Sequence, residues 1–470
     1  MSKDNTFIRH MGIFYNGYIR KTGGMNMRKT LKRAFALILS LVVAFALIGC
    51  GGQNTASSDD GNATTQPEPS QSESPSQEEI KLTLWSISTE SDAFHNAYTQ
   101  AIKDYEEKHP GIKIVHETFE NESYKTKIKS AVAANELPDL FYTWGGGFSK
   151  SFVESGKVLP IDKYYTEEYQ AQLSRAALGN ATYGGVLYGA TYTTPISLLF
   201  YNKAMFDKYG LKAPTSFDEL VHVCRTFLDN GIKPFGVSVK DTWVLAMTHD
   251  ALTLKSAGPE KTVKAITRNG ASYNDPDFLA SATKLKELID MGAYIDGATG
   301  LSNDEACANF YNGTVPMYIT GSWMAGSIMT DAENPADFDV TPIPVINSNN
   351  AKITDFMGGA ADTIMVSAST KYPDVAGNAV FELTRSISKY AYLDGAGIPA
   401  WEVDYDDSSV NPITAKIAKL ANEATSFTLW FDTLMEANDA GEYLSLLQQL
   451  YVGEITPQEF VEAMAAQLES

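Results

Sequence analysis

The chain has 470 residues, 44% of them hydrophobic and 11% aromatic, with a formal charge of −20 and three cysteines. At about 100–200 residues per domain, this is enough for two or three domains with sizeable cores. The excess of Asp and Glu removes the counterion-release term that drives phosphate-backbone binding, so no nucleic acid partner is expected. Cys50, Cys224 and Cys307 are too few for a disulfide framework, and no CxxC pair is present for a metal or redox site.

The charge is uneven along the chain. Residues 1–33 carry eight basic side chains against the single acid Asp4, and residues 34–50 carry none. A basic stretch ending Arg28-Lys29-Thr30-Leu31-Lys32-Arg33, an apolar run from Ala34 to Ile48 and small Gly49 read as a signal peptide over 1–49, whose true start falls at Met25 or Met27 if residues 1–24 are dispensable. The apolar run is 15 residues long, short of the roughly 20 a helix needs to cross a bilayer. Leu47-Ile48-Gly49-Cys50 has the form of a bacterial lipobox, which makes Cys50 the expected lipidation site and the extracellular face of the cell membrane the expected location. Residues 50–79 then turn to Gly, Ser, Thr, Gln, Pro, Asp and Glu, which bury too little surface to offset ordering entropy and read as a flexible tether. Removing 1–49 takes away eight bases and one acid, so the −20 of the whole chain becomes −27 in the exported part.

From Ile80 the pattern is that of an α/β protein. Ile80–Trp85 alternates as a strand, and Phe94, Ala97, Tyr98, Ala101, Ile102 and Tyr105 recur at helical spacing. His109-Pro110-Gly111 ends that helix, Ile112–Val115 reads as a second strand, Tyr124–Ala134 as a second helix, and Leu137–Tyr142 as the approach to a third strand. Further on, the spacing predicts strands at Ser197–Tyr201, Ile232–Val239, Val315–Ile319 and Asp339–Ile343, helices over Phe217–Asn230 and Asp277–Met291, and a mostly helical tail of seventy residues. In that tail Leu444, Leu447, Leu450 and Tyr451 share one face, and Phe460, Met464 and Leu468 another. Strands alternating with helices predict a mainly parallel sheet, with ligands bound beyond the carboxyl ends of its strands, where Trp85 and Trp144 fall.

No standard catalytic constellation is present. Gly236-Val237-Ser238-Val239-Lys240 lacks the closing glycine of a nucleophile elbow, His116-Glu117-Thr118-Phe119-Glu120 lacks the second histidine of a zincin helix, and Gly395-Ala396-Gly397-Ile398-Pro399 places proline where a pyrophosphate-binding helix would begin. No metal site and no cofactor are expected. A pair of glycosidase carboxylates stays open, because acids far apart in sequence can meet in the fold. The positive signal is tryptophan placement. Trp85, Trp144, Trp243, Trp323 and Trp401 sit among turn-type or small polar residues, and Trp430 lies in Leu429-Trp430-Phe431-Asp432. Indoles held in loops beside acids suit pyranose rings, whose apolar faces stack on aromatics while carboxylates take the hydroxyls.

Leu84-Trp85, Ala133–Asp139, the PISLLFYNK stretch Pro195–Lys203, NFYNGTVPMYITGSW at Asn309–Trp323 and the helical tail around Trp430 together resemble the extracellular solute-binding proteins of bacterial carbohydrate ABC importers, the maltose- and raffinose-type family. The resemblance spans residues 80–470. It implies a two-lobe periplasmic-binding-protein-like α/β fold with a hinge and a cleft, lobe one holding 80–195 and 361–400, lobe two 196–357 and 404–470. It implies sugar stacking on Trp144, on Trp243 in the loop after the Ile232–Val239 strand, on Trp323 and on Trp430. Asp241 and Asp432 then serve as flanking acids, Ser88, Thr89 and Glu90 as a hydroxyl-binding loop, and Asp355 and Asp362 stand near the second hinge crossing. Asp241-Thr242-Trp243 replaces the Glu-Pro-Tyr of maltose-binding relatives, a departure from a maltodextrin site. The implied protein is a monomeric lipoprotein, not an enzyme, that hands an oligosaccharide to permease subunits. A secreted carbohydrate-active enzyme and a surface carbohydrate sensor or adhesin are the alternatives.

Overall fold

The computed structural model describes residues 79–469. The expected signal peptide, Cys50 and the tether through Glu78 lie outside the described residues. Among the described residues no helix is long and apolar enough to cross a membrane.

Two sheets carry two separate hydrophobic cores. The first sheet takes β1 (Ile80–Ser86), β2 (Ile112–Thr118), β3 (Leu140–Trp144), β4 (Gly189–Thr191) and β10 (Asp362–Val366), in the order β2-β1-β3-β10-β4. On β1 the alternation inferred from sequence holds, since Leu82, Leu84 and Ser86 are buried. Between these strands run α1 (His95–Lys108) and α2 (Asn121–Ala134), and α1 packs against the long helix α9 (Pro373–Leu393). The buried stripe of α1 is Ala97, Tyr98, Ala101 and Tyr105, four of the six residues expected from the 3.6-residue period, with Phe94 and Ile102 half-buried.

The second sheet has the order β8-β5-β7-β6, from β5 (Ser197–Asn202), β6 (Phe235–Gly236), β7 (Met317–Gly321) and β8 (Phe338–Thr341). Around it stand α4 (Phe217–Asp229), α5 (Trp243–Ala257), α6 (Pro276–Asp290), α7 (Asn303–Tyr311) and α8 (Met324–Asp331); α3 (Gly147–Glu154) belongs to the first core. A short pair joins β9 (Asp355–Met357) to β11 (Ser426–Thr428), which lies in the tail between α10 (Pro412–Asn422) and the helices α11 (Ala437–Val452) and α12 (Pro457–Leu468). Leu447, Leu450, Phe460, Met464 and Leu468 are buried there, as the spacing predicts. Isolated bridges Thr193 to Pro399 and Ile196 to Gly358 tie together the segments that pass from one core to the other.

Three expectations need correction. The sheets are not mainly parallel throughout. β1, β2 and β3 are parallel, but β10 runs antiparallel to β3 and β4, and in the second sheet only β6 and β7 pair in parallel. β10 arrives from the other core and is not bound by the βαβ crossover geometry, whereas β6 and β7 are joined through helices and pair in parallel. The Ile232–Val239 strand shrinks to Phe235–Gly236: Phe235 pairs with Met317 of β7 on one side and bonds to Ala293 and Ile295 on the other, while Val239 bonds to Ala298 outside any strand. Trp243 lies not in a loop but in the first turn of α5. Every residue from Val244 to Ala257 is buried, so this helix shows no polar face and no helical period.

Candidate ligand-binding cleft

A cavity of about 1150 Å³ opens between the two cores and draws its walls from both. One wall starts at the carboxyl end of β1, where Ile87, Ser88, Thr89 and Asp92 line it. Ser88 is buried and its Oγ lies 2.6 Å from Ser86 Oγ, which in turn meets His116 Nε2 at 2.8 Å. Asp92 accepts the backbone N–H of Phe94 at 2.9 Å just ahead of α1. Burial pushes its carboxyl up to about 7, with Asp362 adding repulsion. Asp362 pairs with Trp144 across the sheet and receives the Tyr142 hydroxyl at 2.7 Å and the Thr193 hydroxyl at 3.1 Å. Burial raises its carboxyl too, against the lowering effect of those two hydroxyls. Tyr98 and Tyr192, joined hydroxyl to hydroxyl at 3.2 Å, complete this floor.

Trp144 ends β3 and is held edge-on by Tyr142 (4.9 Å, 76°) and Phe148 (5.0 Å, 73°). The Lys125 ammonium sits 5.5 Å from its ring centroid, a cation–π distance. Lys125 also stands 2.9 Å from Glu122 and 4.0 Å from Asp432, the latter across the cavity.

The opposite wall is a row of three indoles. Trp243 and Trp323 lie 6.4 Å apart and Trp323 and Trp430 6.0 Å apart, centroid to centroid, with interplanar angles of 55° and 58°. Each stands at or just before a helix start: Trp243 opens α5, Trp323 precedes α8, and Trp430 precedes the one-turn helix Phe431–Leu434. Gly321 is required beneath the row, because any Cβ there would overlap the Trp323 ring. The Trp430 indole N–H donates to Ser197 Oγ at 2.7 Å. Behind it, Asp250 accepts the Phe431 N–H at 2.9 Å and the Tyr443 hydroxyl, and Tyr443 meets His249 Nδ1 at 2.8 Å. Burial holds the His249 imidazole down to about 3, so it is neutral. Asp241 accepts the N–H of Asn303 at the start of α7 at 2.6 Å.

Of the residues singled out in sequence, the fold brings Trp144, Asp241, Trp243, Trp323, Trp430, Asp432, Ser88, Thr89 and Asp362 to this cavity. Glu90 is exposed and Asp355 is buried elsewhere, and neither lines it. Asp355 braces β9 against β11, accepting from Thr425 Oγ1 at 2.6 Å, Ser426 Oγ at 2.8 Å and the Lys352 N–H at 2.7 Å. Trp85 instead packs on Phe119 beneath Lys127, and Trp401 is buried in the first core with its N–H on Thr191 O. Asp92, Lys125 and the Tyr98–Tyr142–Tyr192 floor went unnoticed in sequence, as did Asp304 on α7. The Ser302-Asn303-Asp304-Glu305 capping box was a legible signal for α7, whereas the tyrosines were indistinguishable from core residues. Cys224 and Cys307 are both free and buried; Cys307 touches the cavity, and burial pushes its thiol up to about 12.

Two lobes flanking an aromatic cleft define a class, the proteins that close two α/β lobes on a small ligand. Residues 91–381 match the model of the bacterial extracellular solute-binding proteins, and the chain belongs to that family. An ABC transporter extracellular-binding protein of Pyrococcus horikoshii is 26% identical over 74% of this chain and 78% of its own. The multiple sugar-binding protein of Streptococcus mutans is 23% identical over 67% of this chain and 74% of its own. A solved structure from work on xylan utilisation by Caldanaerobius polysaccharolyticus is 35% identical, with a TM-score of 0.80, over 83% of this chain and 100% of its own.

Proposed function

We propose that this chain is the substrate-binding component of a carbohydrate ABC importer, which captures an oligosaccharide between its lobes and delivers it to the membrane permease. The observation that carries this reading is the row Trp243–Trp323–Trp430 facing Trp144 across a cavity edged by carboxylates. Successive indoles about 6 Å apart offer flat apolar contacts to consecutive sugar rings, and Asp92, Asp241, Asp362 and Asp432 offer acceptors to their hydroxyls. The sugar-binding name of the Streptococcus relative and the xylan-utilisation context of the 35% identical structure support a saccharide ligand.

In this reading lobe one comprises 80–195 with 361–400 and lobe two 196–357 with 404–470, and Trp144, Trp243, Trp323 and Trp430 stack the sugar. The ligand is released unchanged, and the receptor acts as a monomer tethered at the outer face of the membrane through a lipid on Cys50. Tryptophan emission and thermal stability, measured against a panel of oligosaccharides, test the reading: a spectral shift with a rise in Tm is expected, and no response to any sugar overturns it. Recovery of cleaved ligand would point to an enzyme instead. For the anchor, Cys50→Ser is expected to release the protein from the membrane fraction.

A further inference from the structure

The cavity is lined by eight acidic side chains besides the fully buried Asp250, against two lysines, and among the described residues no arginine reaches it. The carboxylates come from both walls. Glu120 and Glu122 on the first and Asp304 and Asp331 on the second are exposed at the rim, with Asp241 half-buried beside them. Partial burial raises the Asp304 carboxyl, and Asp241, Glu120 and Asp331 push it further upward, which places negative charge from the two walls within reach of one another. Deeper in, Asp92 and Asp362 stand on the tyrosine floor and Asp432 beside Trp430. Of the two lysines, Lys125 is engaged by Glu122 and Asp432, and Lys240 is exposed at the outer edge.

A ligand carboxylate entering this cleft would find no guanidinium fork and, inward of the exposed Lys240 at the edge, no unpaired ammonium. It would surrender hydration while facing like charge at separations where the interaction is only partly screened. From this, and resting on the saccharide reading above, we infer that the cleft selects by charge: it admits neutral oligosaccharides and rejects those bearing uronic acids. Glu120, Asp304 and Asp331 act as the discriminating residues. They serve as a fence against acidic ligands in addition to any hydroxyl they accept.

The test titrates the protein with three xylo-oligosaccharides of equal backbone length: unbranched, carrying a neutral arabinose branch, and carrying a glucuronic acid branch. Neutral and acidic members of a second series, galacto-oligosaccharides and oligogalacturonates, run beside them. The glucuronate-branched ligand is expected to bind at least about tenfold more weakly than the arabinose-branched one, a difference of about 1.4 kcal/mol. That ratio is expected to shrink between about 0.01 M and about 1 M salt, where the screening length falls from roughly 30 to 3 Å, and to shrink again in a Glu120→Gln/Asp304→Asn variant. Equal affinity for the two branched ligands, or a gap that neither salt nor the variant changes, overturns the inference while leaving the saccharide reading standing. Failure of every neutral sugar to bind overturns the saccharide reading, and the inference falls with it.

Discussion

Asp250 Oδ2 accepts the backbone N–H of Phe431 at 2.9 Å, tying the residue after Trp430 to the buried helix α5. The same carboxylate takes the Tyr443 hydroxyl from α11, so one buried acid joins the central helix, the C-terminal helices and the end of the indole row. Asp250→Ala would strand the buried Phe431 N–H, at a cost of about 1–3 kcal/mol, while the Tyr443 hydroxyl keeps His249 Nδ1 as its partner. Denaturant unfolding is expected to show a loss of about 1–3 kcal/mol, with weaker ligand binding because Trp430 loses its brace. Asp250→Asn retains an acceptor and is expected to lose less on both counts.

The centre of the row should matter most for binding. Trp323 touches both neighbouring indoles, whereas Trp85 lies outside the cavity on Phe119. Trp323→Ala is expected to weaken oligosaccharide binding by more than about 2 kcal/mol, as buried aromatic anchors do. Trp85→Ala is expected to leave the affinity within a factor of about two by calorimetry, since no part of that ring meets the ligand.

Asp92 predicts a pH dependence. Its carboxyl rises from an ordinary 3.8 to about 7 on folding, so between those values the folded chain holds a proton that the unfolded chain has released. Stability contributed by this group is therefore present in full below about 3.8 and is lost as pH rises towards 7. Asp362 and Asp250, also raised by burial, act in the same direction. Melting temperature is expected to fall from about pH 5 to about pH 8, and Asp92→Asn is expected to flatten that slope. A carboxyl-carbon NMR titration reports the Asp92 value directly.

Gly147 is packed against the other lobe: a Cβ there would overlap the carbonyl oxygens of Leu434 and Met435. Gly147→Ala is expected to force α3 away from the Trp430 segment, lowering the Tm and weakening ligand binding together. Small-angle scattering should show a larger radius of gyration with ligand than the unaltered protein has. Lys150 to Glu436, at 2.7 Å, bridges the same contact, but both side chains are largely exposed. Glu436→Gln is accordingly expected to change stability by less than about 1 kcal/mol.

How much of this was legible depended on whether a residue's neighbours are local. Alternation and helical period located β1, α1, β2, α2, β5, α4, α6 and the tail, because each of these has one face in a core and one in water. Loop-type surroundings marked Trp85, Trp144, Trp243, Trp323 and Trp401 alike, of which the fold brings only Trp144, Trp243 and Trp323 to the cavity, and the basic and apolar N-terminal pattern spoke for export. α5 stayed hidden because burial on all sides erases the period. The direction of β10 depended on where the chain returns from the other lobe. The same is true of the cleft: Asp92, Lys125 and the tyrosine floor are separated in sequence from Asp304 and Trp430, and only tertiary packing brings them to one cavity. Composition alone made the protein acidic, but only the fold decided that eight of those acids face a single ligand space, with Asp250 buried behind them. A side chain's local pattern records its exposure, while its ligand-facing role is set by groups that reach it through space.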